Sequence, residues 1–125
     1  MTKGEIAKNN YQSGMNCAQA VVLAFKEEIG LSELTLKKLI IGFGGGFGRQ
    51  GFVCGAVCGM TLVLSYLKTD GVDKLKAYAL IKDACETVKQ KIGSIVCADL
   101  LADKKVPCGE ICKIVADITQ DFLNR

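Results

Sequence analysis

The 125-residue chain has no histidine, no tryptophan and a single proline, Pro107. Without histidine there can be no Ser–His–Asp triad, no Cys–His nucleophile pair and no mixed Cys/His zinc site, so any metal must be held by sulfur or oxygen. Aromatic residues make up only 6% of the chain, and no basic stripe with interleaved aromatics is present, so no nucleic-acid partner is expected. The most apolar run, Gly51 to Leu67, is too short to span a bilayer comfortably and is interrupted by Gly55, Cys58, Gly59, Thr61 and Ser65; no membrane association is expected. Residues Met1 to Asn10 are polar and lack the apolar core of a signal peptide, which points to a cytoplasmic location. The net charge of +3 is dispersed, as in Lys26-Glu27-Glu28 and Lys82-Asp83, and reads as a solvated mixed surface.

What remains is a helix-forming sequence. Half of the residues are hydrophobic, with Leu, Ile, Val, Ala and Lys prominent, and the length suits one domain over residues 1–125. The expected fold is all-α, a compact orthogonal bundle of about six to seven helices with a glycine-rich loop before a buried central helix. Helix one is expected over about Thr2–Ser13, ended by Gly14. Asn16 is placed to cap a second helix, about Cys17–Ile29, which is apolar almost all round and ended by Gly30. A third starts near Ser32 or Thr35, a fourth runs from about Phe52 to Lys68, and a fifth from about Val72 to Ile92. In the fifth, Leu75, Tyr78, Ala79, Ile81, Ala84, Cys85, Val88 and Ile92 form one stripe at helical spacing. Ser94 is positioned to cap a short helix through Leu101, and Pro107 to begin a last one reaching about Phe122. The run Leu39–Phe43 is the one candidate strand.

Seven cysteines, Cys17, Cys54, Cys58, Cys85, Cys97, Cys108 and Cys112, are many for a cytosolic chain. A reducing compartment disfavours structural disulfides, and an odd count cannot pair fully, so metal binding or redox activity is the expected use. Cys17, Cys54, Cys97 and Cys108 fall in the first turn of expected helices. Free N–H groups and the helix dipole there favour thiolate over thiol. Cys54/Cys58 and Cys108/Cys112 are spaced i, i+4, which puts Cβ atoms about 5–6 Å apart on one face. A disulfide wants about 3.5–4.5 Å, whereas thiolates about 2.3 Å from a tetrahedral ion lie roughly 3.8 Å apart, within rotamer reach. Shared ligation within each pair is therefore easier than an intrahelical disulfide.

Six glycines fall between Gly42 and Gly51. The stretch lacks the Gly-Lys-Ser/Thr ending of a P-loop, and no βαβ unit surrounds it, so no nucleotide is expected. Two readings stay open: a flexible turn with tight helix packing along Gly51, Gly55 and Gly59, or a loop draped over the Cys54 site with its N–H groups bonded to sulfur. On the second, Gly44, Gly45, Gly46 and Gly55 contribute to cofactor binding.

At these residues the chain resembles the redox-active family named for its cysteine pattern, C_GCAxxG_C_C. The resemblance rests on Asn16-Cys17-Ala18-Gln19-Ala20-Val21, Phe43-Gly44-Gly45-Gly46 and Cys54-Gly55-Ala56-Val57-Cys58-Gly59. Cys97 before Leu100-Leu101, and Cys112 before Val115 and Asp117, complete it. Here the order is Cys-Gly-Ala where the family label has Gly-Cys-Ala. The resemblance implies a small redox protein whose pattern cysteines are Cys17, Cys54, Cys97 and Cys112, with Cys108 competing for the last place and Cys58 and Cys85 as extras. Cys54 and Cys17 are the expected reactive thiols. An iron–sulfur cluster is the implied cofactor and structural zinc the alternative; the other outcomes are a dithiol–disulfide pair, or a helical binding module with core cysteines. Without Cys-x-x-Cys-His, no covalent haem is expected. A redox partner protein is expected, and a homo-oligomer is compatible with the sequence.

Overall fold

The computed structural model describes residues 1–125. Its helices are α1 (Lys3–Gln12), α2 (Cys17–Ala24), α3 (Lys26–Ile29), α4 (Glu33–Ile40), α5 (Gly44–Phe47), α6 (Gly55–Lys68), α7 (Lys74–Ile92), α8 (Cys97–Asp103) and α9 (Cys108–Leu123), with a 3₁₀ turn at Ile41–Phe43. The all-α expectation holds. The candidate strand Leu39–Phe43 is instead the end of α4 and the 3₁₀ turn, and the only β pairing is an isolated bridge between Val53 and Val96.

Several helix starts follow directly from capping chemistry. Thr2 and Glu5 form a reciprocal capping box on α1, and Asn16 and Gln19 form another on α2. Ser32 caps α4 and Asp73 caps α7 through side-chain oxygens. Left-handed Gly30 and Gly93 close α3 and α7.

The core is built from α1, α2, α6 and α9. Every residue of α2 from Ala18 to Ala24 is buried, making it the central helix. Val57, Met60, Val63 and Leu64 of α6 and Ile111, Val115, Ile118 and Phe122 of α9 pack into the same apolar cluster. The buried Thr119 hydroxyl is satisfied by the Val115 carbonyl one turn earlier, at 2.7 Å.

Four expected boundaries shift. The helix expected over Cys17–Ile29 breaks at Phe25, whose φ of −108° and ψ of 19° turn the chain into α3. The fourth helix begins at Gly55 rather than near Phe52. Ser94 accepts from Val96 N–H and so shapes the approach to α8, which starts at Cys97. Pro107 stands at the cap of α9, one residue before its first turn. The stripe on α7 is only partly used: Ala84, Val88 and Ile92 are buried, while Leu75 and Tyr78 are exposed. At 19 residues the helix is about 28 Å long, and its first turns overhang the core. No helix is long and apolar enough to cross a membrane.

Candidate thiol centre

Four helix starts converge on one cavity. Cys17, Cys97 and Cys108 are the first residues of α2, α8 and α9, and Cys54 is the cap residue of α6. All four line one cavity of about 950 Å³.

Local chemistry places each of them. The Asn16 capping box sets the start of α2, and Asn16 Nδ2 also donates to the Ile41 carbonyl at 2.9 Å, tying Cys17 to the glycine loop. Cys54 and Cys97 are brought together by an antiparallel clip. Cys54 N–H donates to the Ile95 carbonyl at 2.7 Å, and Cys97 N–H to the Phe52 carbonyl at 2.6 Å. The glycine loop buttresses this clip, since Phe52 N–H donates to Gly46 and Gly51 N–H to Gly45, each at 3.2 Å.

Glycine is required where α6 meets α2. A Cβ at position 55 would overlap the Cys17 sulfur, and one at position 59 would stand 2.9 Å from the Ala18 carbonyl oxygen. Gly51 faces Ala98 of α8 rather than α2, so the expected stripe is divided between two partners. From Gly45 to Arg49 five consecutive residues have positive φ, between 64° and 73°, forming a left-handed turn. No loop N–H bonds to a sulfur. The loop acts through its carbonyls and its lack of side chains; Gly45 lines the cavity, while Gly44 packs on Asn16 and Gly46 on Cys97. Phe43, Phe47 and Phe52 stack edge to face on its exposed side, with ring centroids 5.3 and 6.1 Å apart.

The remaining cysteines stand apart from the cavity wall. Cys112 is fully buried one turn behind Cys108, and its thiol donates to the Cys17 carbonyl at 3.9 Å. Cys58 lies inside α6 with its thiol directed at the Val53 carbonyl, 3.8 Å away. Cys54 and Cys58 do not form the expected i, i+4 helical pair, because Cys54 precedes the helix in an extended conformation. Cys85 sits midway along α7. Every cysteine is a free thiol. As the side chains stand, no three Cys, Asp or Glu residues converge closely enough to hold a single metal ion.

The electrostatics differ from the simple helix-start expectation. Burial pushes the Cys54 thiol up to about 12, and the charge of Cys17 adds to this. The Ala56 and Val57 N–H groups oppose the shift, without making a capping bond of full geometry. Burial also raises Cys97 and Cys112, with neighbouring cysteine charges in the same direction. Cys58 is pushed up to about 11, by burial first and then by Cys17 and Cys85. Cys85 is raised chiefly by burial. Here desolvation outweighs the helix dipole. The Tyr11 hydroxyl is raised by burial and then by Cys108 beside it.

Three cavity features were not visible in the sequence. Tyr11, Arg49 and Lys104 line the same space as the thiols. Tyr11 belongs to α1, Arg49 to the left-handed turn and Lys104 to the left-handed cap of α8. No residue pattern marks them, since they meet only through packing. No carboxylate lines the cavity.

A family model described as "Putative redox-active protein (C_GCAxxG_C_C)" matches residues 15–122. No curated protein and no solved structure matches the chain.

Proposed function

We propose that this chain, which belongs to the C_GCAxxG_C_C redox-active family, uses its cavity thiols as one redox centre that holds an iron–sulfur cluster. The observation carrying this reading is the convergence of Cys17, Cys54, Cys97 and Cys108, from four helix starts, on one cavity. A disulfide needs two sulfurs and no void. Four sulfurs around a space of about 950 Å³ suit a larger guest.

The donor chemistry fits such a group. Thiolate is the usual ligand of iron–sulfur centres, and neither histidine nor a cavity carboxylate competes. A single tetrahedral ion fits less well, because three donors do not converge on one point, so structural zinc is the weaker version. Cys17, Cys54, Cys97 and Cys108 would be the ligands facing the space, with Cys112, the pattern cysteine, in reserve behind Cys17. When bound, the cluster supplies one-electron transfer. The protein's own part is to hold the sulfurs in place, exclude water through the apolar wall of Leu100 and Ile111, and release protons as thiols become ligands. Cys54 and Cys97 are protonated at neutral pH before loading, because burial raises both.

A second reading is dithiol–disulfide cycling, favoured by the backbone clip that holds Cys54 beside Cys97 at the cavity wall. Two neighbouring thiols would lose two electrons to an acceptor and two protons to solvent as the S–S bond forms. Anaerobic purification followed by iron and sulfide analysis and a visible spectrum tests the first reading. Stoichiometric iron and sulfide are expected. A colourless protein that takes up neither on reconstitution overturns the cluster, and a pair of thiols lost on mild oxidation then establishes the second.

A further inference from the structure

Only three non-glycine residues in the protein have left-handed backbone: Phe47 at φ 66°, Arg49 at φ 66° and Lys104 at φ 55°. Each such residue is disfavoured by roughly 1–2 kcal/mol relative to right-handed backbone. Two of the three are the cations that line the thiol cavity. They belong to different elements, the glycine turn and the cap of α8, and neither forms a salt bridge. Gly45 makes room for Arg49, since a Cβ there would meet the arginine Cγ at 2.8 Å. Neither cation is among the groups that shift the buried thiols. Both are exposed at the cavity's edge, with no carboxylate partner to neutralise their charge. Asn16, Gln50 and Tyr11 add neutral polar groups to the same wall.

We infer that the cavity is also a binding site for a small anionic molecule, one carrying a carboxylate, phosphate or sulfonate group held by Arg49 and Lys104 beside the thiols. A planar guanidinium and an ammonium lining one carboxylate-free space are suited to an oxyanion. Strained backbone at the two residues that would grip the ligand matches the general tendency of strain to gather at functional positions. The inference does not depend on whether the thiols hold a cluster or form a disulfide.

The test compares alkylation of the full, reduced, metal-free chain by anionic iodoacetate and by neutral iodoacetamide. Rates at individual cysteines are read by peptide mass spectrometry. Cys17 and Cys108 report on the cavity, and half-buried Cys85 is the internal control. In the unaltered protein the iodoacetate-to-iodoacetamide ratio should be higher at Cys17 and Cys108 than at Cys85. It should fall roughly fivefold for each charge removed in Arg49→Gln and Lys104→Asn, and should be unchanged in Lys82→Gln on α7. Inorganic phosphate, sulfate and acetate, each added as competitor, identify the preferred oxyanion by protection of the same two cysteines. A parallel fall with both reagents would mean that the cations tune thiol ionisation, and no fall with either would mean that they have no role; each result overturns the inference. Circular dichroism confirms folding of the variants, and both substituted side chains are exposed.

Discussion

The two sets of cysteines differ in where they lie along their helices. Cys17, Cys97 and Cys108 are first residues and Cys54 is a cap residue, and these four open onto the cavity. Cys58, Cys85 and Cys112 lie within helices and face protein packing or the seam between helices. A side chain at a helix start projects past the end of its rod, so several rods meeting end-on can share what they carry. A side chain inside a helix is committed to whichever face packs. The two sets share one chemistry and differ in what surrounds them.

Serine substitution tests that division with the largest expected effect. C17S, C54S and C97S should each lower bound iron at least tenfold after reconstitution, and C85S should leave it unchanged. Equal losses in all four would remove the distinction between the sets. C108S and C112S sharpen it further: a loss in C108S alone makes the cavity-facing sulfur the fourth ligand, and a loss in C112S alone gives that place to the pattern cysteine.

A smaller effect is expected at the contact that sets the α2–α6 spacing. Gly55→Ala would place a methyl on the Cys17 sulfur and should destabilise the fold by about 1–3 kcal/mol, as overpacking does. Denaturant unfolding measures this. Gly71→Ala, in open space but at φ 77°, is the control for backbone strain without a clash.

The pH dependence of the metal-free protein follows from the raised thiols. A folded-state pKa above the unfolded value means that the native state retains the proton longer. Stability from Cys54 is thus complete below about pH 9 and declines as pH rises toward 12. The slope is about 1.4 kcal/mol per pH unit for each proton. Unfolding measured across that window should show a shallower decline for C54S.

The smallest expected effect concerns strain. Lys104→Gly relieves a left-handed lysine at the cost of a more flexible unfolded chain. A net stabilisation of about 0.5–1 kcal/mol is expected, with loss of the cavity's preference for iodoacetate. A stabilised variant with reduced anion preference would separate the cavity's needs from those of the fold.

Much of this arrangement was legible before any coordinates. Asn16 and Pro107 mark the starts of α2 and α9 closely enough to place Cys17 and Cys108, because caps act through neighbours only a few residues away. The apolar pattern implies a helical Cys54/Cys58 pair, but α6 begins three residues later than that pattern implies. Cys54 then lies outside the helical register that would have set both sulfurs on one face. Leu75 and Tyr78 fit the apolar stripe yet are exposed for a related reason, since periodicity finds a face but not the length over which a partner covers it.

What the residues alone determined is the chemistry available and its local setting: seven cysteines without histidine, a helical chain, and cysteines at helix starts. These follow from composition and from interactions within a few positions along the backbone. Which sulfurs share a cavity, which stay behind its wall, and that Arg49 and Lys104 stand at its edge were decided by tertiary packing. The glycine turn, the Cys54–Cys97 clip and the close approach of α6 to α2 join segments far apart in the chain, and no local pattern encodes the distances between them.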